Sequence, residues 1–400
     1  MRLLLLSYLL CYLQFHVLEG AIVTSPAKRV LIVGAGPAGL LTAHCLLSRP
    51  ASSPYHVRII EARPPPQEEG KGPRAYSLGI NIRGQHALRH FDTPSRSKGL
   101  LESVKATGVP TDSFFLHIGS KSIALRKPAP PSQSSDIPAT ILLPRNKLCE
   151  AMLTSLKERY GDETERLKIS YSTPLDSLDL NAKTAFFGNE SFNYDLVIGA
   201  DGVQSKVRQA MFNSPTSSSS PASPLICEEL TLPGEFKVMV QPFMPAKLEP
   251  SSVHLLAPTK TSDFGLFVLP GRNQSSSCTL INWSTGKMPS FLDSNASVED
   301  IQRNIESAFP TYGPVSAMAA EQLKLQRPSV AKTIRCNTYS DGDRGVLLLG
   351  DAAHSTGETR NYMFILPFIV SRLGLLFLRG DIGPGSQLGA LGCFGAGFLA

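Results

Sequence analysis

Continuous apolar runs of four to six residues alternate with stretches of helical periodicity from residue 29 onward. A short uninterrupted apolar run bounded by turn residues is typical of a strand buried on both faces, as in a parallel sheet. Such strands are predicted at residues 29–33, 56–61, 140–143, 195–200 and 345–349. Helices are predicted at residues 39–48, 83–91, 146–159 and 298–309. The alternation of the two kinds of element predicts an α/β fold.

Other stretches alternate apolar and polar residues with a period of two, which is typical of strands with one buried face. This pattern runs through residues 114–126 and 225–283. Residues 167–171 and 178–187 are predicted to form a hairpin with each other. A Ser- and Pro-rich segment at 213–224 is predicted to be a surface loop. We therefore expect an α/β domain that is interrupted by, and then completed around, a mostly antiparallel sheet.

The first twenty residues have a separate character. Arg2 precedes an uncharged, mostly apolar run of sixteen residues, and small residues follow at Gly20 and Ala21. This arrangement predicts a secretory signal peptide, with a retained membrane anchor as the rival interpretation and a buried core helix as the least favoured. It predicts membrane association, or a location in the secretory pathway or an organelle.

The composition excludes several classes of protein. Of the 400 residues, 42% are hydrophobic, and Gly and Pro number only 32 and 31, which excludes a disordered or fibrous chain. The net charge of +6 is spread without a basic stripe, so no nucleic-acid partner is expected. The seven Cys are scattered and form no C-x-x-C, so neither a disulfide framework nor a metal site is predicted.

The strongest chemical signal is a G-x-G-x-x-G at Gly34, Gly36 and Gly39, directly after a predicted strand and at the start of a helix. In such a turn the first glycine allows the tight bend, the second lets a pyrophosphate approach, and the third lets helix and strand pack closely. Glu61 ends the second predicted strand, where a carboxylate can accept both ribose hydroxyls of an adenine dinucleotide. This element alone fits NAD and FAD equally.

Two later strands each end in an Asp/Gly pair. The first ends in Asp201-Gly202 and the second in Gly350-Asp351. Alone, each pair fits a strand-end cap. Together with the glycine turn, and in this order, the three motifs resemble those of the flavoprotein aromatic hydroxylases. Arg145 also matches the Arg-x-x-Leu that this family has at a helix start.

Within that family, the chain resembles the kynurenine 3-monooxygenase branch most. The similar segments are residues 77–88, 229–233, 253–258, 264–270 and 278–280, and the resemblance covers about residues 28–356. It implies a Rossmann-like FAD-binding domain of the glutathione-reductase type with an interleaved, mostly antiparallel β-sheet substrate domain. The implied FAD-binding parts are residues 28–110, 141–212 and 336–358, and the implied substrate parts are 111–140 and 225–335. Beyond these lie the targeting segment 1–20 and an atypical hydrophobic, Gly-rich tail at 359–400.

The resemblance also implies cofactors and contacts. It implies FAD, with NADPH or NADH as reductant, and FAD contacts at Gly34, Ala35, Gly36, Ala38, Gly39, Glu61, Ala62, Arg63, Arg145, Asp201, Gly202, Gly350 and Asp351. In the implied reaction, O2 forms a flavin C4a-hydroperoxide whose distal oxygen hydroxylates a small aromatic substrate. The cofactor carries this chemistry, so no catalytic side chain is assigned. By resemblance, the mitochondrial outer membrane is a further expected location.

Two departures from the family leave alternatives open. Phe114 stands where the kynurenine branch has a carboxylate-binding Arg, so Arg126 is considered as a replacement cation and His254 as a further residue lining the substrate site. After His354 the sequence lacks the family's Gly-Gln-Gly-x-Asn helix, which is expected to weaken FAD binding. The alternatives are a non-hydroxylating FAD reductase or oxidase, and a truncated flavoprotein-like product without activity.

Overall fold

The computed structural model describes residues 27–355 apart from 49–54, 67–75, 92–98, 127–137, 162–164, 215–224, 258–262 and 272–274. The predictions for the segment 1–20, for the tail 359–400 and for most of the Ser- and Pro-rich loop concern residues outside this part of the chain. Among the described residues, no helix combines the length and the hydropathy needed to span a lipid bilayer.

The elements follow one another in the order that the apolar pattern indicates. The helices of the described residues are α1 (Pro37–Leu47), α2 (Ile82–Arg89), α3 (Leu100–Lys105), α4 (Arg145–Tyr160), α5 (Lys206–Asn213), α6 (Val298–Ala308) and α7 (Ala317–Leu325). The strands are β1 (Lys28–Val33), β2 (Tyr55–Ile60), β3 (Ser77–Ile80), β4 (Val109–Thr111), β5 (Phe114–Ile118), β6 (Lys121–Arg126), β7 (Thr140–Pro144), β8 (Leu167–Ser170), β9 (Ser177–Asp179), β10 (Thr184–Phe187), β11 (Glu190–Asn193), β12 (Leu196–Gly199), β13 (Cys227–Gln241), β14 (Val253–Leu256), β15 (Phe264–Pro270), β16 (Ser277–Ser284), β17 (Ser329–Cys336), β18 (Ser340–Asp341) and β19 (Val346–Leu348).

The first large sheet has six strands in the order β18-β19-β12-β1-β2-β8. Its neighbours are parallel except for β18, which lies antiparallel to β19 at one edge. The residues from Val30 to Val33 are all buried, because both faces of β1 are covered. This explains why the strand is an uninterrupted apolar run rather than an alternating one.

Different layers cover the two faces of this sheet. On one face, Val30 and Ile32 belong to the same apolar cluster as Leu40 of α1 and Met152 of α4. On the other face, Leu31 and Val33 lie in a cluster with Phe187 and Tyr194, which come from the small antiparallel sheet β11-β10-β9 and its edge. The sheet is thus the middle layer of three.

The second large sheet has seven strands in the order β17-β13-β16-β15-β14-β5-β6. Its neighbours are antiparallel, apart from the parallel pair β14 and β5. One face packs on α6 and α7 through residues such as Ile281 and Ile305. The other face presents Leu255, Phe267 and their neighbours to Leu142 of β7.

A third sheet, β3-β7-β4, lies where the two large sheets meet. Strand β7 takes part in the apolar contacts of both regions, because Leu143 packs in the α1 and α4 cluster while Leu142 packs against the seven-stranded sheet. Helix α4 begins at Arg145, directly after β7. The N-terminal residue of α4 is therefore held at the boundary between the two halves of the molecule.

The predicted α/β fold with an interleaved antiparallel sheet is confirmed, with differences in individual elements. The hairpin predicted between residues 167–171 and 178–187 is wrong, because β8 joins the edge of the six-stranded sheet beside β2. Residues 177–187 instead form their own hairpin, β9 and β10. Helices α3, α5 and α7 were not predicted. All three are short, and each buries only three residues.

Candidate functional site

The glycine turn joins β1 to α1 with no room for side chains at two of its positions. Gly34 has a φ of +108°, and a Cβ there would overlap the carbonyl oxygen of Ala200, the residue that follows the neighbouring strand β12. A Cβ on Gly39 would overlap the carbonyl oxygen of Gly34. These two glycines are thus required by the packing of the helix on the sheet, whether or not a ligand is bound.

Gly36 differs, because the space above it is bounded by a flexible cation rather than by backbone. A Cβ on Gly36 would lie 2.8 Å from Nη2 of Arg145. Apart from the chain neighbours of Gly36, Arg145 is the only described residue with an atom within 4 Å of that Cβ. Helix α1 begins at Pro37 and has no side-chain cap, so the partial positive charge of its first turn is not neutralised there. An open backbone, a helix N-terminus and a guanidinium together fit a pyrophosphate.

Glu61 lies just beyond the C-terminal end of β2, beside this turn, and is 7% exposed. Its Oε2 accepts a hydrogen bond of 2.9 Å from the backbone N–H of Ala35, and its Oε1 accepts bonds of 3.0 Å from the backbone N–H and from Nε of Arg63. Burial acts to raise the pKa of the Glu61 carboxyl, but the hydrogen bonds and charge of Arg63 outweigh it and hold this pKa below its usual range. Glu61 is therefore an anion that fixes the glycine turn to β2.

The Asp201-Gly202 turn connects β12 to α5. Oδ2 of Asp201 accepts the backbone N–H of Lys206 at 2.7 Å and so caps the helix, while Oδ1 is buried without a hydrogen-bond partner. Burial raises the pKa of this carboxyl, against the hydrogen bonds that it accepts. Gly202 has a φ of +79° and open space at its Cβ position. Oδ1 of Asp201 is thus an acceptor that makes no hydrogen bond within the turn.

The Gly350-Asp351 turn follows β19 and forms a short 3-10 helix, Gly350–Ala352. Gly350 has a φ of +59°, and a Cβ there would lie 3.0 Å from Cβ of Ala38 in the first turn of α1. The residue before it, Leu349, donates its backbone N–H to the carbonyl of Gly199 at 2.9 Å. The third motif therefore packs on the first, although more than 300 residues separate them in the sequence.

Arg208 ties two of the motif turns together, and its role was not predicted from the sequence. The side chain is 4% exposed and donates from Nη1 to the carbonyl of Ala352 at 2.9 Å and from Nη2 to the carbonyl of Val203 at 2.6 Å. Ser205 caps the same helix by accepting the N–H of Arg208. The signal in the sequence that could have identified it is an Arg, which is always charged, six residues after the Gly of the Asp-Gly pair.

Of the three residues considered for the substrate, two lie together. Phe114 begins β5 and packs edge-on against Phe267, with ring centroids 6.2 Å apart, on the apolar face that meets β7. Arg126 is the register partner of Phe114 across the β5–β6 pair, where a bulge interrupts the ladder. The structure therefore puts an exposed cation beside the position that lacks the family's Arg.

His254 projects from the other face of the same sheet, and its role in lining the substrate site stays a prediction. Its neighbour Leu255 belongs to the apolar face that meets β7, so His254 projects from the opposite face of the sheet. There its ring stacks on Phe115 and is hydrogen bonded to Nε2 of His117 at 3.0 Å and to the carbonyl of Glu249 at 2.9 Å. Burial lowers the pKa of His254 to about 4.

The glycine turn, Glu61, Arg63, Arg145 and the two Asp/Gly turns surround the C-terminal ends of β1, β2, β12 and β19. Ala62 lies in the same turn as Arg63. Within the residues that the structure describes, no group of three or more His, Cys, Asp or Glu side chains could hold a metal ion. What the cluster offers is a cradle for an elongated anionic ligand with hydroxyl groups.

Comparisons with known proteins agree with this geometry. A family model described as FAD binding domain matches residues 27–359. A curated relative from Cryptococcus neoformans, named kynurenine 3-monooxygenase, is 28% identical over 350 residues, which is 83% of this chain. The chain spans 65% of the length of that relative.

Solved structures share the fold at low sequence identity. The tetrameric form of 2-methyl-3-hydroxypyridine-5-carboxylic acid oxygenase matches with a TM-score of 0.63 and 18% identity, over 93% of this chain and 87% of that one. CtdE in complex with FAD matches with a TM-score of 0.57 and 12% identity, over 83% of this chain and 80% of that one.

Proposed function

The chain belongs to the FAD binding domain family, and from this premise we propose that it is an FAD- and NAD(P)H-dependent monooxygenase that hydroxylates an aromatic substrate. The observation that carries the proposal is the meeting of three motif turns around one cradle, beside an apolar sheet face. The names of the relative from Cryptococcus neoformans and of the pyridine-carboxylic acid oxygenase support the same class of reaction.

In this proposal, residues 28–110, 141–212 and 336–358 hold FAD, and residues 111–140 and 225–335 hold the substrate. Gly36, the first turn of α1 and Arg145 would hold the pyrophosphate, because they offer open backbone, N–H groups and a cation. Asp351 and Gly350 would meet the chain that links the phosphate to the flavin ring. Ala35, Ala38 and Gly202 would supply backbone close to FAD.

Glu61 would accept hydrogen bonds from the ribose hydroxyls, but its oxygens must first have free acceptor positions. Both oxygens of Glu61 are already engaged by Ala35 and Arg63. The Arg63 side chain is 47% exposed, so it is free to turn outward and release acceptor positions while the backbone bond to Ala35 stays in place. In this proposal Arg63 would hold the Glu61 anion in place and would turn outward when a ribose binds.

When bound, FAD supplies the activation of O2 and the transfer of one oxygen atom, and the protein supplies orientation and exclusion of water. The apolar face around Leu255 and Phe267 is suited to bind an aromatic ring and to exclude water. Phe114 extends this face, with its ring edge-on to Phe267. Arg126 gives the same region a positive charge at its rim.

We infer that the substrate is an electron-rich ring, a phenol or an aniline, that carries a carboxylate. Phe114 cannot pair with a carboxylate, and an unpaired anion in an apolar pocket is costly. Arg126, the register partner of Phe114, is the cation that would meet this carboxylate. The electron donor in the proposal is NADPH or NADH.

For residues 1–20 we propose a targeting role toward a membrane, on the basis of the apolar run alone. Deletion of residues 1–20 from a fluorescent fusion is expected to release the fusion from membranes into the cytosol. An unchanged distribution in fractionated cells would contradict this proposal without touching the proposed reaction.

The FAD part is tested by titrating the purified chain with FAD and following the quenching of flavin fluorescence. Gly36→Val is expected to abolish binding, because its side chain enters the space of the pyrophosphate but meets only the flexible Arg145 in the protein. Gly342→Ala is the matched control, since a Cβ there meets nothing within 4 Å. Equal FAD affinity in wild type and Gly36→Val would overturn the assignment.

The reaction is tested with the FAD-loaded wild type and a panel of aromatic acids and neutral phenols. A monooxygenase consumes one O2 for each NAD(P)H and yields a product that is one oxygen atom heavier, which mass spectrometry detects. NAD(P)H oxidation without such a product would instead identify an FAD oxidase or reductase. Flavin binding without any NAD(P)H oxidation would identify an inactive flavoprotein.

A further inference from the structure

Two cysteines face each other where the chain enters and leaves the seven-stranded sheet. Cys227 is the first residue of β13 and Cys336 is the last residue of β17, and they are register partners in the antiparallel ladder. Their sulfur atoms lie 3.4 Å apart as free thiols, and the Cys336 thiol donates to the Cys227 sulfur. Both side chains are partly exposed.

The ladder itself shows that the pair has a backbone geometry that suits a disulfide. Beside it, Asn337 donates its N–H to the carbonyl of Ile226, and Ile226 donates its N–H to Oδ1 of Asn337. Two residues back along β17, the N–H of Ile334 points away from β13 and bonds the carbonyl of Ser355. By alternation, Cys227 and Cys336 occupy a non-hydrogen-bonded position.

At such positions opposite Cα atoms are about 4.5 Å apart, and side chains are at their closest. Disulfides span Cα separations of about 4.4–6.8 Å, so the bond can form without movement of the strands. We propose that Cys227 and Cys336 are a reversible redox pair, which a peroxide closes to a disulfide and a small dithiol reopens. The proposal is independent of the monooxygenase reaction.

The chemistry proceeds in two balanced steps. The Cys227 thiolate attacks one oxygen of hydrogen peroxide, the O–O bond breaks, and a sulfenic acid forms while hydroxide leaves and takes up a proton. The Cys336 sulfur then attacks the Cys227 sulfur, the S–O bond breaks, and water leaves with the Cys336 proton. Two thiols are thereby oxidised to one disulfide, and one peroxide is reduced to two waters.

The direction of attack follows from the hydrogen bond between the two sulfurs. Cys336 is the donor and Cys227 the acceptor, so we assign the first attack to Cys227. Burial, the hydrogen bond and the charge of Cys227 raise the pKa of Cys336 to about 12, against the opposing charge of Arg208. Cys336 therefore keeps its proton and acts second, as the resolving thiol.

The position of the pair indicates what the disulfide would change. Cys227 follows the connection from α5, and Cys336 precedes the connection to β18, so the bond would join the two crossings between the large sheets. The segment after the Gly350-Asp351 turn is attached to the same strand, through the bond between Ser355 and Ile334. Oxidation is expected to restrict the movement of the segment that follows the Gly350-Asp351 turn.

The test treats the purified full chain with a small excess of hydrogen peroxide, alkylates the remaining thiols and maps the peptides by mass spectrometry. The expected result is a linked peptide pair joining Cys227 and Cys336 with the loss of two hydrogens, which dithiothreitol reverses. The melting temperature of the oxidised wild type should rise by about 5 °C. Cys45, an exposed cysteine on α1, serves as the control: Cys45→Ser should leave both results unchanged.

Two variants separate the steps. In Cys336→Ser, a sulfenic acid should accumulate on Cys227 and be trapped by a dimedone probe, and no linked peptide should form. In Cys227→Ser, the same treatment should label Cys336 at least tenfold less. The proposal is overturned if the wild type yields no Cys227–Cys336 peptide, if Cys227 passes directly to sulfinic acid, or if the temperature shift persists in either variant.

Discussion

On the side of the six-stranded sheet, the candidate site is built from backbone turns that follow the ends of parallel strands. On the side of the seven-stranded sheet, it is built from side chains such as Phe114 and Phe267 that project from one face of antiparallel strands. The first kind of site depends on positions where no side chain fits, and the second depends on which side chains share a face. The first half is therefore expected to tolerate few substitutions, whereas the second can exchange side chains, which in the proposed function would change the substrate that it binds.

The most severe test of this comparison is the substitution Gly39→Ala. The added methyl group would overlap the carbonyl oxygen of Gly34, which is backbone and cannot move aside. We expect the free energy of unfolding to fall by more than about 3 kcal/mol, or no folded protein at all. Urea unfolding followed by circular dichroism measures this, with Gly342→Ala as the control. A Gly39→Ala protein of wild-type stability would show that the first half is not limited by its backbone.

A second test removes the link between two motif turns. Arg208→Met takes away two charge-assisted hydrogen bonds and leaves the buried carbonyls of Val203 and Ala352 without them, at a cost of about 3 kcal/mol in unfolding free energy. FAD affinity should fall with it.

The matched control for that test lies in the other half. Arg303→Met removes an exposed cation that pairs with Asp300 on α6, and its effect should be below about 0.5 kcal/mol. Equal losses in the two variants, measured by urea unfolding, would contradict the special role of Arg208.

A third test uses one buried histidine from each half. Burial lowers the pKa of both His44, on α1, and His254, on β14, to about 4. Folded protein keeps them neutral while unfolded chain protonates them near the usual value of 6.5, so stability is full above pH 6.5 and falls as the pH drops toward 4. We expect each to account for about 2 kcal/mol of that loss.

His44→Phe and His254→Phe should each flatten the decrease in unfolding free energy between pH 6.5 and 4.5. His44 donates from Nε2 to the carbonyl of Met152, whereas His254 adjoins His117, whose pKa burial also lowers. If only one of the two variants changed the slope, the two halves would differ in how strongly burial disfavours a charged histidine.

The smallest expected effect concerns Arg126. Arg126→Gln should weaken binding of anionic aromatic acids by about fivefold, in line with about 1 kcal/mol for an exposed charge, and should leave neutral phenols unchanged. Lys121→Gln, at the other end of the same strand, is the control. Binding is measured by the concentration of acid that half-maximally stimulates NAD(P)H oxidation. An equal loss for neutral phenols would mean that Arg126 supports the strand rather than a carboxylate.

The sequence was most informative where local geometry dictates the residue. The spacing of Gly34, Gly36 and Gly39 predicted the turn, because a strand that leads into a closely packed helix requires small residues at fixed intervals. Glu61 was predicted to lie beside it, since both follow the ends of adjacent parallel strands. Their contact through Ala35 follows from short-range rules of this kind.

The sequence was least informative where long-range packing decides. A period of two indicates that β14 has two different faces, but it does not say which one meets β7, and His254 lies on the face away from β7. The hairpin predicted for β8 failed for the same reason, because β8 pairs with β2, more than 100 residues earlier. Arg208, and the pairing of Cys227 with Cys336, likewise depend on contacts between segments far apart in the chain.

The strand order of the six-stranded sheet has a consequence for how the chain reaches this fold. Strand β1 lies between β2 and β12, and β12 in turn needs β19, so neighbours in the sheet come from residues 28 to 348. A ribosome must release nearly all of this stretch before the sheet is complete, and such non-local pairing is slow. Until β19 emerges, the edge of β12 has unpaired backbone groups, and such an edge favours pairing with other chains.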